Sequence, residues 1–102
     1  MIQAGTYSAV RHYLRAVQKA GTKDTNETVA AMRALPVEDA TMSSGARLRA
    51  DGRLMRDFYS FRVKRPNESR SEWDLYEGMV TIPASEAVVP AEESACPLMK
   101  EK

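Results

Sequence analysis

A chain of 102 residues, 43% apolar, 7% aromatic and 28% charged, has room for one domain and too much apolar content for wholesale disorder. No run approaches the ~20 apolar residues that a membrane span needs, and a single cysteine, Cys96, excludes an internal disulfide. The net charge of +1 conceals an asymmetry: residues 1–70 carry 13 Lys and Arg against 7 Asp and Glu, whereas residues 71–102 carry 2 against 7.

The opening residues, Met1-Ile2-Gln3-Ala4-Gly5-Thr6, show neither the basic nor the apolar region of a secretory signal, so the chain as written is expected in the cytoplasm. From about Tyr7 to Ala20, Tyr7, Val10, Leu14 and Val17 recur at helical spacing, with Ala9, Tyr13, Ala16 and Ala20 widening the stripe. Arg11, His12, Arg15 and Lys19 take the opposite, solvated side. Gly21 stands where a left-handed residue closes a helix. Asp24 and Glu27 have the spacing of an N-cap with a reciprocal partner, and Val29, Met32 and Leu35 follow at three-residue intervals until Pro36 ends the run. Two helices joined by Gly21-Thr22-Lys23 make a helical hairpin, which needs a further layer to bury both stripes.

After Met42-Ser43-Ser44-Gly45 the period changes to two. Ala46, Leu48 and Ala50 alternate with Arg47 and Arg49, and Asp51-Gly52 marks a tight turn into a second strand. On that strand Met55, Asp57, Tyr59, Phe61 and Val63 share one face, and Leu54, Arg56, Phe58, Ser60, Arg62 and Lys64 the other. Pro66-Asn67-Glu68-Ser69 is a turn or loop. Trp73 to Ile82 fits neither period, Gly78 suggests a bend, Pro83 could open one helical turn through Ala87, and an extended arm is expected from Val88 onward.

Chemistry-bearing residues are few. Ser8 and His12 lie four apart on one helical face, but a nucleophilic pair needs a third group to orient the base and an oxyanion site. A surface serine beside a surface histidine is the expected reading. Cys96 sits in a proline-flanked tail rather than at a helix amino terminus that would activate it. One His and one Cys cannot fill a tetrahedral metal site, and no phosphate loop or dinucleotide fingerprint occurs. No catalytic residue, metal ligand or cofactor is therefore expected. Arg47, Arg49, Arg53, Arg56, Arg62, Lys64, Arg65 and Arg70 surround Phe58, Tyr59 and Phe61, the composition of a single-strand nucleic-acid binder. The alternation of Tyr59 and Phe61 with Arg62 instead points these aromatics toward a core, and the near-neutral total charge argues the same way.

Asp51-Gly52-Arg53 before an aromatic strand, Trp73-Asp74-Leu75-Tyr76, Ile82-Pro83 and Cys96-Pro97-Leu98-Met99-Lys100, following the helical stretch from Tyr7 to Thr22, resemble in their order the carboxy-terminal end of a type I periplasmic solute-binding protein. The nearest kin by this resemblance are the branched-chain amino acid and the urea or amide receptors of ABC transporters. The resemblance implies an α+β fragment: a two-helix hairpin (about 6–36), a β-hairpin (about 45–65) and an extended, wrapping carboxy-terminal tail (about 72–102), together a single incomplete domain, 1–102, of one lobe. It implies a family that works in the periplasm and passes a small solute to a membrane permease. Such receptors clamp the solute between two lobes with residues from earlier in the chain, so no ligand-binding position carries over. Trp73 and Tyr76 are expected to anchor the acidic tail on the basic body, with Tyr59 and Phe61 as further structural anchors. Apolar stripes that would normally pack on other strands suggest a homo-oligomer. Two alternatives stand beside this reading: a stand-alone self-associating interaction module, and a basic-strand nucleic-acid binder.

Overall fold

A computed structural model describes residues 2–39 and 45–99. The expected change of period at Met42-Ser43-Ser44 lies outside the described residues, as does the end of the tail.

Helix α1 spans Ile2–Ala20 and α2 spans Thr25–Ala34, so the helical part begins earlier than the apolar periodicity indicates. Gly21 adopts φ +69° and its N–H donates to the Val17 carbonyl at 2.9 Å, closing α1 as its position predicts. Asp24 caps α2 through Oδ1, which accepts from the N–H groups of Asn26 and Glu27 at 3.0 and 3.1 Å. The reciprocal half of a capping box is not formed with Glu27. The Asp24 N–H donates to Thr22 Oγ1 at 3.1 Å, so the linker itself satisfies it.

The two helices pack through a face the periodicity does not indicate. Ser8, His12 and Ala16, spaced four apart, are the buried residues of α1. Tyr7, Val10 and Leu14 point outward and are each more than half exposed. The expected stripe is thus corrected: α2 approaches along a track of small residues, where the axes can come close, and the bulky apolar ridge is left uncovered. Thr28, the buried residue of α2, donates its hydroxyl to the Thr22 carbonyl.

Beyond Pro36 the chain forms a single antiparallel bridge, Val37 to Ala46, and then a short hairpin of β1 (Arg47–Leu48) and β2 (Leu54–Met55), with Arg47 opposite Met55 and Leu48 opposite Leu54. Its turn is the expected Asp51-Gly52, with Gly52 at φ +80°. Arg33 Nη2 donates to the Ala50 carbonyl at 2.7 Å, tying α2 to the hairpin.

The long aromatic strand divides at Arg56-Asp57. Its second part, β3 (Phe58–Val63), leaves the first hairpin and pairs with β4 (Tyr76–Ile82), so 76–82 is strand rather than wrapping tail. Phe58 faces Ile82 and Val63 faces Tyr76. The register shifts between Ser60 and Arg62, where Gly78 at φ +65° supplies a bulge that bends the ribbon. Asp57 Oδ1 accepts from the Ala84 N–H at 3.1 Å and fixes the following helical turn α3 (Ala84–Ala87), which Pro83 opens as expected. The last described stretch contains 3-10 turns at Ala91–Glu93 and Pro97–Met99.

The radius of gyration is 17.1 Å and the extents are 53 × 32 × 18 Å, against about 13 Å for a compact domain of this length. The buried apolar residues among those described are Ala16, Val37, Ala46 and Val88, none larger than valine. These side chains make a thin core beneath the helices and first hairpin, from which the β3–β4 ribbon projects.

Candidate functional site

A concavity lies between α1, α2 and the β1–β2 hairpin. Gly5, Ser8, Ala9 and His12 line it from α1, Met32 from α2, Val37 from the bridge, and Leu48, Gly52, Leu54 and Arg56 from the hairpin and its exit, around a volume of about 250 Å³. Ser8 Oγ donates to Asp39 Oδ2 at 2.6 Å. The His12 ring, 5% exposed, meets the Met32 carbonyl through Nε2 at 2.8 Å. A carbonyl only accepts, so Nε2 is the donor, and in the tautomer that this selects Nδ1 presents a lone pair. Nδ1 is buried and has no hydrogen-bond partner.

The expectation of a surface serine beside a surface histidine is therefore corrected, since both are buried. The order of contacts still opposes nucleophilic catalysis. The Ser8 hydroxyl donates its hydrogen bond to Asp39, and His12 is held by the Met32 carbonyl, so the imidazole is outside the contact through which it would have to take the serine proton. Among the described residues no group of three or more His, Cys, Asp and Glu side chains could hold a metal ion.

A second cluster joins hairpin and tail. Arg49 clasps Asp51 with Nε to Oδ1 at 3.0 Å and Nη2 to Oδ2 at 2.6 Å, while Nη1 donates to the Val89 carbonyl at 2.9 Å. The guanidinium hydrogen bonds hold the Asp51 carboxyl down at about 2. Val88, buried, and this carbonyl bond attach the tail to the body.

The proposed anchors lie elsewhere. Trp73 is 81% exposed in the turn between β3 and β4, and Tyr76, Tyr59 and Phe61 are all exposed on the ribbon. Phe61 and Tyr76 meet each other, with ring centroids 5.9 Å apart, rather than the helices. Trp73 and Tyr76, expected to anchor the tail, and Tyr59 and Phe61, expected as further structural anchors, thus all lie exposed in this structure. Their strand pairs with its neighbour across the 64–75 loop, which carries Trp73 to the far end of the ribbon. Part of the basic cluster is bonded within the chain: Arg62 pairs with Glu77 and Glu68, Lys64 with Asp74, and Arg56 lies over the Phe58 ring at 5.4 Å. Glu68 and Asp74 are pulled below their ordinary range, Glu68 by the Arg65 backbone N–H first and Asp74 by Lys64 first. Arg62 and Lys64, bonded to carboxylates in this way, offer little free charge to a phosphate backbone.

This arrangement of helices and small antiparallel strands has known counterparts. The sequence pattern of the family described as "Periplasmic binding protein" matches residues 1–70. The chain belongs to the periplasmic binding protein family. A periplasmic binding protein from Burkholderia mallei is 36% identical and superposes with a TM-score of 0.87 over 94% of this chain and 25% of its own. A branched-chain amino acid ABC transporter periplasmic ligand-binding protein from Burkholderia xenovorans is 38% identical, with a TM-score of 0.87 over 95% of this chain and 26% of its own. This periplasmic-binding-protein chain thus spans about a quarter of the length of these solved relatives. No curated protein matches it. The α+β arrangement is that of part of a periplasmic-binding-protein body. Sequence reasoning missed the burial of His12 in it. The one available signal was the run of small residues Gly5, Ser8 and Ala16 on the same side of α1.

Proposed function

We propose that this chain is the carboxy-terminal portion of the ligand-binding component of an ABC transporter for amino acids, amides or urea. Such a component works in the periplasm and hands its solute to a membrane permease. The observation that carries the reading is the likeness, at 38% identity over 95% of the chain, to a protein named for branched-chain amino acid transport. The role is one of binding and not of catalysis: Ser8 gives its hydrogen bond to Asp39 and not to His12. A solute is buried between facing walls, and these residues form part of one body, so the chain by itself holds none. No helix among the described residues is long and apolar enough to cross a membrane. Replacing the matching quarter of the Burkholderia xenovorans protein with this chain tests the reading. Calorimetric binding of a branched-chain amino acid by the hybrid is the expected result, and a folded hybrid that binds no amino acid, amide or urea would defeat it.

A second reading, self-association, is favoured by one observation. The ribbon face formed by Tyr59, Phe61, Val63 and Tyr76 and the α1 ridge of Tyr7, Val10 and Leu14 are exposed together. In isolation the chain covers them with a second copy.

A further inference from the structure

The groove between α1, α2 and the first hairpin is unfinished in two independent respects. Its apolar walls, Met32, Val37, Leu48 and Leu54, enclose open space, and at its base His12 Nδ1 is a buried acceptor with nothing to accept from. Native structures satisfy such groups, because an unmet buried acceptor has given up its hydrogen bond to water without a replacement. The Met32 carbonyl already holds Nε2 as the donor, so in that tautomer Nδ1 is an acceptor suited to an N–H or O–H. A polypeptide segment would complete both features at once, bringing an apolar side chain and one donor together.

The comparisons indicate whose segment it is. Two proteins about four times as long keep this same arrangement at a TM-score of 0.87, so in each of them three quarters of the polypeptide lies outside it. The buried apolar residues among those described are none larger than valine, a thin core that gains by packing against more polypeptide. We propose that the groove seats a segment from the remaining three quarters of a periplasmic-binding-protein body, which packs an apolar side chain against Met32, Leu48 and Leu54 and donates one hydrogen bond to His12 Nδ1. The proposal rests on the reading of this chain as one portion of such a receptor. The second copy that covers the apolar surface in isolation gives way to that body.

The test supplies the Burkholderia xenovorans relative, lacking its own counterpart of this quarter, to the intact chain in trans. Native mass spectrometry should show a one-to-one complex replacing any self-associated form. The 15N resonance of His12 Nδ1 should move upfield as it accepts a hydrogen bond, a readout that needs no substitution. His12→Phe keeps a ring in this place and removes the Nδ1 acceptor, so it should weaken the complex roughly tenfold, whereas His12→Gln, whose Oε1 can still accept, should weaken it less. Leu98→Ser, in the tail, should leave affinity unchanged. No complex, or a complex in which the Nδ1 resonance is unmoved and His12→Phe binds as tightly as the parent, overturns the proposal. A complex that shows the Nδ1 shift but takes up no branched-chain amino acid leaves the docking seat standing and counts against the receptor reading alone.

Discussion

Arg49 and Asp51, two residues apart at the tip of the first hairpin, form a two-point ion pair whose third guanidinium contact, to the Val89 carbonyl, joins hairpin to tail. Asp51 also accepts from the Arg53 N–H at 3.1 Å, so the same carboxylate closes the turn and orients the arginine. The pair is well shielded by its neighbours, with side-chain exposures of 13% and 8%.

This pairing gives acid sensitivity a definite sign. The folded Asp51 carboxyl titrates at about 2, below its ordinary value of 3.8, so its contribution is fully present above that ordinary value and is lost as pH falls toward 2. Urea midpoints measured between pH 5 and pH 2 should fall for the parent chain. Asp51→Asn should lower the midpoint at pH 5 and flatten part of that slope. An unchanged slope in the variant would mean the pair does not distinguish folded from unfolded chain.

Trp73 should matter little to the stability of the isolated chain. Full burial of a large aromatic would contribute about 2 to 3 kcal/mol, but a ring 81% exposed keeps its water, and substitutions at such positions fall within about 0.5 kcal/mol. Trp73→Ala should barely move the unfolding midpoint, and the emission of this sole tryptophan should be that of a solvated indole, readily quenched by acrylamide. A blue-shifted, protected emission would show that a partner covers it.

Two glycine-to-alanine changes should act in opposite directions. Gly78 holds φ +65° in the ribbon bulge with nothing within 4 Å of an added Cβ, so the penalty of Gly78→Ala is purely backbone, about 1 to 2 kcal/mol. Gly5 lies inside α1, also with open space around it, and Gly5→Ala should stabilise by about 0.5 to 1 kcal/mol. Circular dichroism and denaturant titration of both variants check the pair. Changes of the same sign would contradict the assigned backbone conformations.

The purified chain should bind no branched-chain amino acid, amide or urea. One body without an opposing wall leaves most of a solute in water. Calorimetric titration at millimolar solute is the measurement, and micromolar affinity for any of them would refute the expectation.

Light scattering over a concentration series should show a dimer or larger. A two-stranded ribbon with exposed Phe61, Val63 and Tyr76 is marginal alone in water and gains by covering that face. Substituting Phe61→Ser and Val63→Ser together should shift the chain toward monomer. A strict monomer at high micromolar concentration would rule out this use of the ribbon.

The residues themselves determined the features that depend on local backbone chemistry. Gly21 ends α1, Asp24 caps α2, Pro36 stops it, Asp51-Gly52 turns the hairpin and Pro83 opens α3, because each acts through its own φ, N–H or side-chain oxygen within a few residues. The order of these signals was also enough to carry the resemblance to periplasmic binding proteins. The spacing of Ser8 and His12 made a shared helical face legible, but which face is buried was decided by what α2 could approach. The small Ser8 and Ala16 admit it closely, and Tyr7, Val10 and Leu14 do not. Tertiary pairing alone split the aromatic strand at Arg56-Asp57, because the partner of Phe58–Val63 lies beyond a loop and competes with continuation of the first hairpin. That same pairing carried Trp73 outward. Alternation along a strand specifies which residues share a face; only the neighbouring strand and the body beneath it decide which face meets water.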